Sequence, residues 1–265
     1  MTAPRRIVCL TEEPTETLYA LGEQDRIVGI SGFTVRPPRA RKEKPKVSAF
    51  TSAKIGEILK LQPDFAIGFS DIQADIAREL IAHGIEVWIS NHRSVAGILD
   101  YIRRLGALIG ASEKAEAFAN EAERHIEVVR ERAAKLPRRP RAYFEEWDEP
   151  MISGIRWVAE LIRIAGGDDI FPELAEQSLA KNRIIAEGDE VIRRAPDIIL
   201  ASWCGKKFRP EKMAARPGWD AIPAVRNHQL HEIKSPIILQ PGPAALFDGL
   251  DALHAAIAAW AGGGQ

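Results

Sequence analysis

Cysteine is nearly absent from this 265-residue chain: Cys9 and Cys204 are the only two, with no CxxC spacing. Neither a zinc cluster nor a disulfide framework is implied, and the count fixes no redox compartment. Net charge is equally scarce, since 36 basic against 37 acidic side chains leave -1. That balance excludes a sequence-wide attraction to nucleic acid or anionic lipid. The one basic run, VRPPRARKEKPK at 35–46, is broken by three prolines and reads as a solvated loop. No segment reaches the ~20 continuous apolar residues of a membrane span, so no membrane insertion is expected. The opening MTAPRRIVCL enters a strand pattern directly, without the charged, apolar and cleavable regions of a leader. The chain as written is therefore expected to be cytoplasmic, or periplasmic if a leader was removed or the start misassigned. Catalytic signatures are missing too: there is no GxSxG, no HExxH, no phosphate-loop GxxxxGK[ST] and no GxGxxG after a strand.

What is present is apolar substance and its pattern. With 46% apolar residues, the chain can build one large or two modest packed cores. Short Val- and Ile-rich runs (RIVCL, RIVGI, DFAIGF, IEVWI) alternate with helix-period segments at 14–22, 52–61, 73–83 and 94–109. That order predicts a parallel sheet flanked by helices. Residues 112–136 then keep one apolar face, through Ala115, Phe118, Ala119, Ala122, Ile126, Val129, Ala133 and Leu136, behind Ser112 as N-cap. Such a helix spans on the order of 37 Å and is long enough to join two lobes. After prolines 137 and 140 the alternation restarts: RAYFEEW as strand, 156–165 as helix, DIILAS and HQLHEI as strands, 243–260 as closing helix. The expected division is an N-terminal α/β lobe at 1–111, a linking helix at 112–136 and a C-terminal α/β lobe at 137–265.

The restart carries a repeat. EILKLQPDFAIGF (57–69) and EVIRRAPDIILAS (190–202) align at a constant offset of 133, pairing Glu57 with Glu190, Pro63 with Pro196 and Asp64 with Asp197. Helix, proline stop, Asp and strand is common α/β punctuation. Its recurrence at equivalent places favours two similar lobes.

Ligands of open parallel sheets bind beyond the carboxyl ends of the strands. The segments there hold Phe33, Phe50, Phe69, Trp147, Trp157 and Trp203, which either line a cleft for a large flat ligand or belong to the core. His228 and His231, three apart on a predicted strand, fall on opposite faces and do not share a metal. No metal centre is expected; His92, at a strand end, and Cys204, next to Lys206 and Lys207, are the candidate ligands, and a lowered thiol pKa is the second expectation for Cys204.

In this order and spacing, RIVCLTEEPTETLYALG with RIVGISGFTVRPP, PKVSAF followed by EILKLQPDFAIGF, LIAHGIEVWI, GIRWVAELIRIAGGDDIF and VIRRAPDIIL resemble the solute-binding proteins of ABC-type cobalamin, ferric-siderophore and haem importers, in particular the cobalamin branch. The resemblance runs through nearly the whole chain. It implies the class III periplasmic-binding-protein fold, two Rossmann-like lobes with parallel-type sheets joined by one backbone helix, with a ligand captured between lobes and no catalysis. It also implies ring contacts from Phe33, Phe50, Trp147 and Met151; Trp157, Arg183, Trp203, Lys206 and Gln240, in or near the strand-end segments, complete the candidate ligand-binding set. Arg183 stands where a tryptophan contact is expected, and Lys234 near an expected acidic one. Acids on each lobe would dock an ABC permease: Glu57, beside Gly56 at the family's position, and Asp189 with Glu190.

The leading expectation is thus a monomeric binding protein with no cofactor of its own, whose ligand is a cobalt corrinoid. Its affinity would come from apolar burial at roughly 25 cal/mol per Å2 before the cost of association. A ferric-siderophore or haem carrier is the first alternative, ranked lower because Glu12, Glu13, Glu16, Glu145, Glu146, Asp148 and Glu149 outnumber Arg36, Arg183, Lys206 and Lys207 on the predicted rim. A corrinoid- or tetrapyrrole-processing enzyme, using Cys204 or the carboxylates beside Trp147, is the alternative of another class. In LTEEPTETLYALG, Pro14 is expected at the first helical position with Glu13 as cap and Glu16 in the first turn. Glu12 and Glu13 are expected to make the cleft mouth acidic and to select against anionic ligands.

Overall fold

Branched apolar residues concentrate in short runs, and these runs become the strands. The computed structural model describes residues 3–263, which divide into two compact units: the chain to His92 with Ala96–Ala122, and Arg93–Val95 with Glu123 onward. In the first unit the strands are β1 (Ile7–Cys9), β2 (Ile27–Ser31), β3 (Lys46–Ala49), β4 (Ser52–Ala53), β5 (Phe65–Phe69) and β6 (Glu86–Ser90). They form one sheet of order β4-β3-β2-β1-β5-β6, parallel except for the short β3–β4 pair. Helices α1 (Glu12–Ala20), α2 (Ile55–Lys60) and α3 (Ala74–Ala82) lie between its strands, and α4 (Val95–Leu108) follows β6. A continuous apolar core runs through Val8, Leu10, Val47, Ile58, Ala66 and Leu80. Strands covered on both faces need such unbroken apolar runs, which is why β5 reads FAIGF and is buried throughout.

Helix α5 (Ser112–Ala133) belongs to both units, its first half to Ala122 with the first and its remainder with the second. It ends three residues before the expected 136, in a turn through Lys135 and Leu136. Its alanine stripe answers a close approach: a Cβ added at Gly106 of α4 would lie 2.1 Å from the Ala115 Cβ. Only glycine opposite alanine lets these two helices meet there.

The second unit contains β7 (Arg141–Asp148), β8 (Met151–Ser153), β9 (Asp168–Asp169), β10 (Ile198–Ala201) and β11 (Leu230–Glu232). The order is β11-β10-β7-β8, with β9 parallel to the start of β7 and β8 antiparallel to its end. Helices α6 (Arg156–Ala165), α7 (Gly188–Arg194), α8 (Pro210–Ala214) and α9 (Leu250–Gly262) follow in chain order. β11 is shorter than HQLHEI suggested. His228 sits before it in a turn at φ 55, so strand alternation does not govern that residue.

The repeat at offset 133 has a physical cause. Gln62 after α2 and Ala195 after α7 both adopt left-handed backbone, at φ 47 and 42, and end their helices just before the prolines. The aspartates that follow clamp the start of the neighbouring strand. Asp64 accepts the backbone N–H groups of Arg5 and Arg6, both at 2.9 Å, ahead of β1, and Asp197 accepts that of Arg141 at 2.8 Å at the head of β7. Removing the clamp by Asp64→Ala is expected to cost about 1–2 kcal/mol in urea unfolding, with Asp64→Asn recovering part of it.

Candidate functional site

In the first unit, the carboxyl ends of β2, β3 and β5 carry the aromatic candidates. Phe33 is 59% exposed, Phe50 is half-buried, and Phe69 is buried. The loop bearing Phe33 is pinned by Arg41, which donates to the carbonyls of Gly32 at 2.9 Å and Thr34 at 2.7 Å. Buried Gln73 accepts the Phe69 N–H and donates to the Phe50 carbonyl, both at 3.0 Å, so one amide sets the height of the Phe50 loop above β5. Val35 and Ile72, not singled out by the sequence, are exposed apolar residues on the same strand ends. Only their exposure marks them, and sequence does not carry it.

The α1 junction differs from expectation. The helix begins at Glu12 with Thr11 as the flanking residue, so Pro14 is the third helical residue and Glu13 is not the cap. Proline is tolerated there because the first-turn N–H groups have no intrahelical partner. Glu16 falls beyond the first turn and pairs with Arg36 at 2.9 Å. Glu12 and Glu13 are buried rather than presented to solvent. Burial raises the pKa of Glu12 despite the hydroxyl it receives from Ser31, and pushes that of Glu13 up to about 8 despite a 2.6 Å hydrogen bond from Thr11. A carboxyl that is neutral below that pH does not repel anions.

In the second unit, β7 and the segment after β10 bring the other candidates together. Trp147 is half-buried and donates through Nε1 to the Glu149 carbonyl at 2.8 Å; Met151, on β8, and Gln240 are also half-buried. Trp157 and Trp203 are enclosed in the core of the unit, 3% and 4% exposed. Trp157 donates to the Ile238 carbonyl, and Trp203 donates to Glu145 with its ring edge-on to Phe208 at 5.1 Å. Arg183 is likewise buried; it forks onto Glu146 at 2.6 and 3.1 Å and also donates to the Ser153 carbonyl. It therefore ties β7, β8 and the following loop together. Lys234 is exposed and pairs with Glu232.

The acidic rim inferred from sequence is not a rim. Glu145 is fully buried and accepts from both Arg216 nitrogens, Tyr143 and Trp203. Glu146 is held by Arg183, and buried Asp148 receives both Lys206 and Lys212. Burial pushes the Asp148 pKa up, and the two ammonium groups more than reverse this, leaving it below the usual carboxylate range. Glu149 alone of the four is exposed. Glu145, Glu146 and Asp148 are thus each engaged by cations.

The remaining candidates are placed as follows. Glu57 is exposed and paired with Lys60 at 2.8 Å; Asp189 is exposed; Glu190 is bound by Arg193 and Arg194. His92 is half-buried, with Nδ1 2.7 Å from the Ser90 hydroxyl and its ring stacked on Tyr101 at 4.5 Å. Cys204 is exposed, and the Lys206 ammonium beside it in sequence is directed to Asp148 and the Trp147 ring. Among the described residues, no group of three or more His, Cys, Asp or Glu side chains is placed to hold a metal ion, and no helix is long and apolar enough to cross a membrane.

Each of the two units is built on a largely parallel sheet with aromatic side chains at its strand ends. The sequence matches the family described as Periplasmic binding protein over residues 7–237, and the chain belongs to that family. It is 25% identical over 248 residues to the vitamin B12-binding protein of Vibrio vulnificus (strain YJ016), covering 91% of this chain and 86% of the relative. Among solved structures, the periplasmic vitamin B12 binding protein BtuF of Vibrio cholerae superposes with TM-score 0.79 at 21% identity, over 99% of this chain and 100% of that one. The periplasmic haem-binding protein RhuT from Roseiflexus sp. RS-1 does so with TM-score 0.80 at 23% identity, over 96% and 99%. The fold is that of the class III periplasmic binding proteins. A further relative, the uncharacterized ABC transporter substrate-binding lipoprotein YvrC of Bacillus subtilis (strain 168), is 24% identical over 267 residues, covering 96% of this chain and 80% of the relative.

Proposed function

We propose that this protein captures a large, flat metal chelate, a cobalt corrinoid, and delivers it to an ABC permease in the periplasmic setting of its family. The observation that carries the reading is the similarity to vitamin B12-binding proteins along 91% of the chain. Exposed Phe33 and half-buried Phe50, Trp147 and Met151 supply flat or soft apolar contact at the strand ends, and half-buried Gln240 is a further proposed polar contact. Glu57, Asp189 and Glu190 are the proposed permease-docking acids. Equilibrium titration with cobalamin, cobinamide and haem tests the ligand. Saturable binding of at least one corrinoid is expected, and a spectral and calorimetric blank with all three would refute the reading.

Haem or a ferric siderophore is the second reading, and one observation favours it. Engagement of Glu16, Glu145, Glu146 and Asp148 by cations, with burial of Glu12 and Glu13, removes the acidic barrier that counted against anionic ligands. The same titration separates the two, since haem binding with no corrinoid binding selects the second.

A further inference from the structure

The segment after β10 brings two ammonium groups to one carboxylate. Asp148, at the end of β7, accepts from Lys206 through Oδ1 and from Lys212 through Oδ2, the latter at 3.1 Å. The carboxylate is 1% exposed, whereas the lysine side chains are 37% and 56% exposed. Two positive charges against one negative leave an excess positive charge at the surface. Each ammonium has three donors, and Asp148 takes one from each. Arg216 does not alter this balance, because Glu145 engages it through both carboxylate oxygens. Lys207 and Arg209 add exposed cations on the same segment; Glu149 and Glu211 are the exposed acids flanking it. The Lys206 ammonium also lies 4.1 Å from the centroid of the Trp147 ring, so the cation and the half-buried aromatic surface form one continuous patch.

Resting on the reading above that the ligand is a metal macrocycle, we propose that Lys206 and Lys212 form an oxyanion subsite. They hold an anionic oxygen substituent of the macrocycle, a phosphodiester or a carboxylate, while the ring system packs beside Trp147. The buried carboxylate fixes both ammonium groups before the ligand arrives, so little side-chain freedom is lost on binding. Hydrogen bonds between two charged groups are also the strong ones. The deep position of Asp148 turns a carboxylate that looked repulsive in the sequence into the anchor of a cationic site.

Two matched ligand pairs test this: cobalamin against cobinamide, which lacks the nucleotide-loop phosphodiester, and haem against its dimethyl ester, which lacks the carboxylates. The anion-bearing member of at least one pair is expected to bind about tenfold more tightly, with the difference shrinking as salt rises. Which pair shows it identifies the group recognised. Lys206→Gln/Lys212→Gln is expected to erase the difference, with far-UV circular dichroism reporting that the variant is folded. If the double variant does not fold, Lys212→Gln alone, at the more exposed lysine, is expected to reduce the preference. Equal affinities within both pairs would overturn the subsite and leave the macrocycle reading standing. A preference that survives in the variants would overturn the assignment to these lysines, and no binding of any of the four ligands would overturn both.

Discussion

Glu13→Gln is expected to remove most of the loss of stability that the wild-type protein suffers between about pH 5 and pH 8. The Glu13 carboxyl is 1% exposed, receives one hydrogen bond from Thr11, and leaves Oε2 without a partner. The groups facing it are Glu12 and Glu16 on α1, Cys9 on β1 and Tyr101 on α4. None is a cation. Burial is the main cause that raises its pKa from 4.5 to about 8, with the neighbouring glutamates adding to it. The sign follows from proton binding. Below 4.5 the carboxyl is protonated in both states and stability is full; between 4.5 and about 8 the folded state keeps a proton that the unfolded state has lost. Stability therefore falls as pH rises through that window, by roughly 1.4 kcal/mol per pH unit from this group. A glutamine carries no such proton, so its contribution does not change across this window. Urea unfolding of both proteins from pH 5 to 8.5 checks the expectation, and equal slopes would show that Glu13 is ionised in the folded state. Glu12 titrates in the same direction, so a residual slope in the variant belongs to it.

Arg216→Met is expected to destabilise the second unit by about 3–5 kcal/mol, because it strands a charge in the core. Glu145 is fully buried, and its partners at 2.6 and 2.9 Å are the two terminal nitrogens of Arg216. Tyr143 and Trp203 each contribute one further hydrogen bond at 2.9 Å, which satisfies the oxygens but does not balance the charge. The double variant Arg216→Met/Glu145→Gln removes the charge together with its partner and is expected to recover more than half of the loss. This follows because a buried pair contributes little net stability relative to neutral residues of similar shape, whereas half a pair is costly. Guanidinium unfolding monitored by tryptophan fluorescence, with Trp203 and Trp219 inside the affected network, measures both. A single variant within about 1 kcal/mol of wild type would mean that Glu145 is protonated or reaches water.

Much of the fold was legible because its determinants are local. The FAIGF run is β5, the helix foreseen at 156–165 is α6 (Arg156–Ala165), and helix period recovered α3 and α4 to within about two residues. The repeated proline and aspartate also kept their meaning, since each Asp bonds to backbone at the head of one neighbouring strand. Charge at the candidate site was not legible. Seven acids near the strand ends looked like an acidic rim, yet only contacts remote in sequence decide what each one does. Glu145 meets Arg216, 71 residues on, Asp148 meets Lys206 and Lys212, and Arg183 turns inward to Glu146. Burial of Trp157 and Trp203 is likewise a matter of what packs over them. The sequence by itself determined the α/β class in two lobes and the family, because periodicity and punctuation are written residue by residue. Only the tertiary structure decided which acids are neutral, which are paired and where positive charge remains, because desolvation and ion pairing depend on neighbours that the chain brings together by folding.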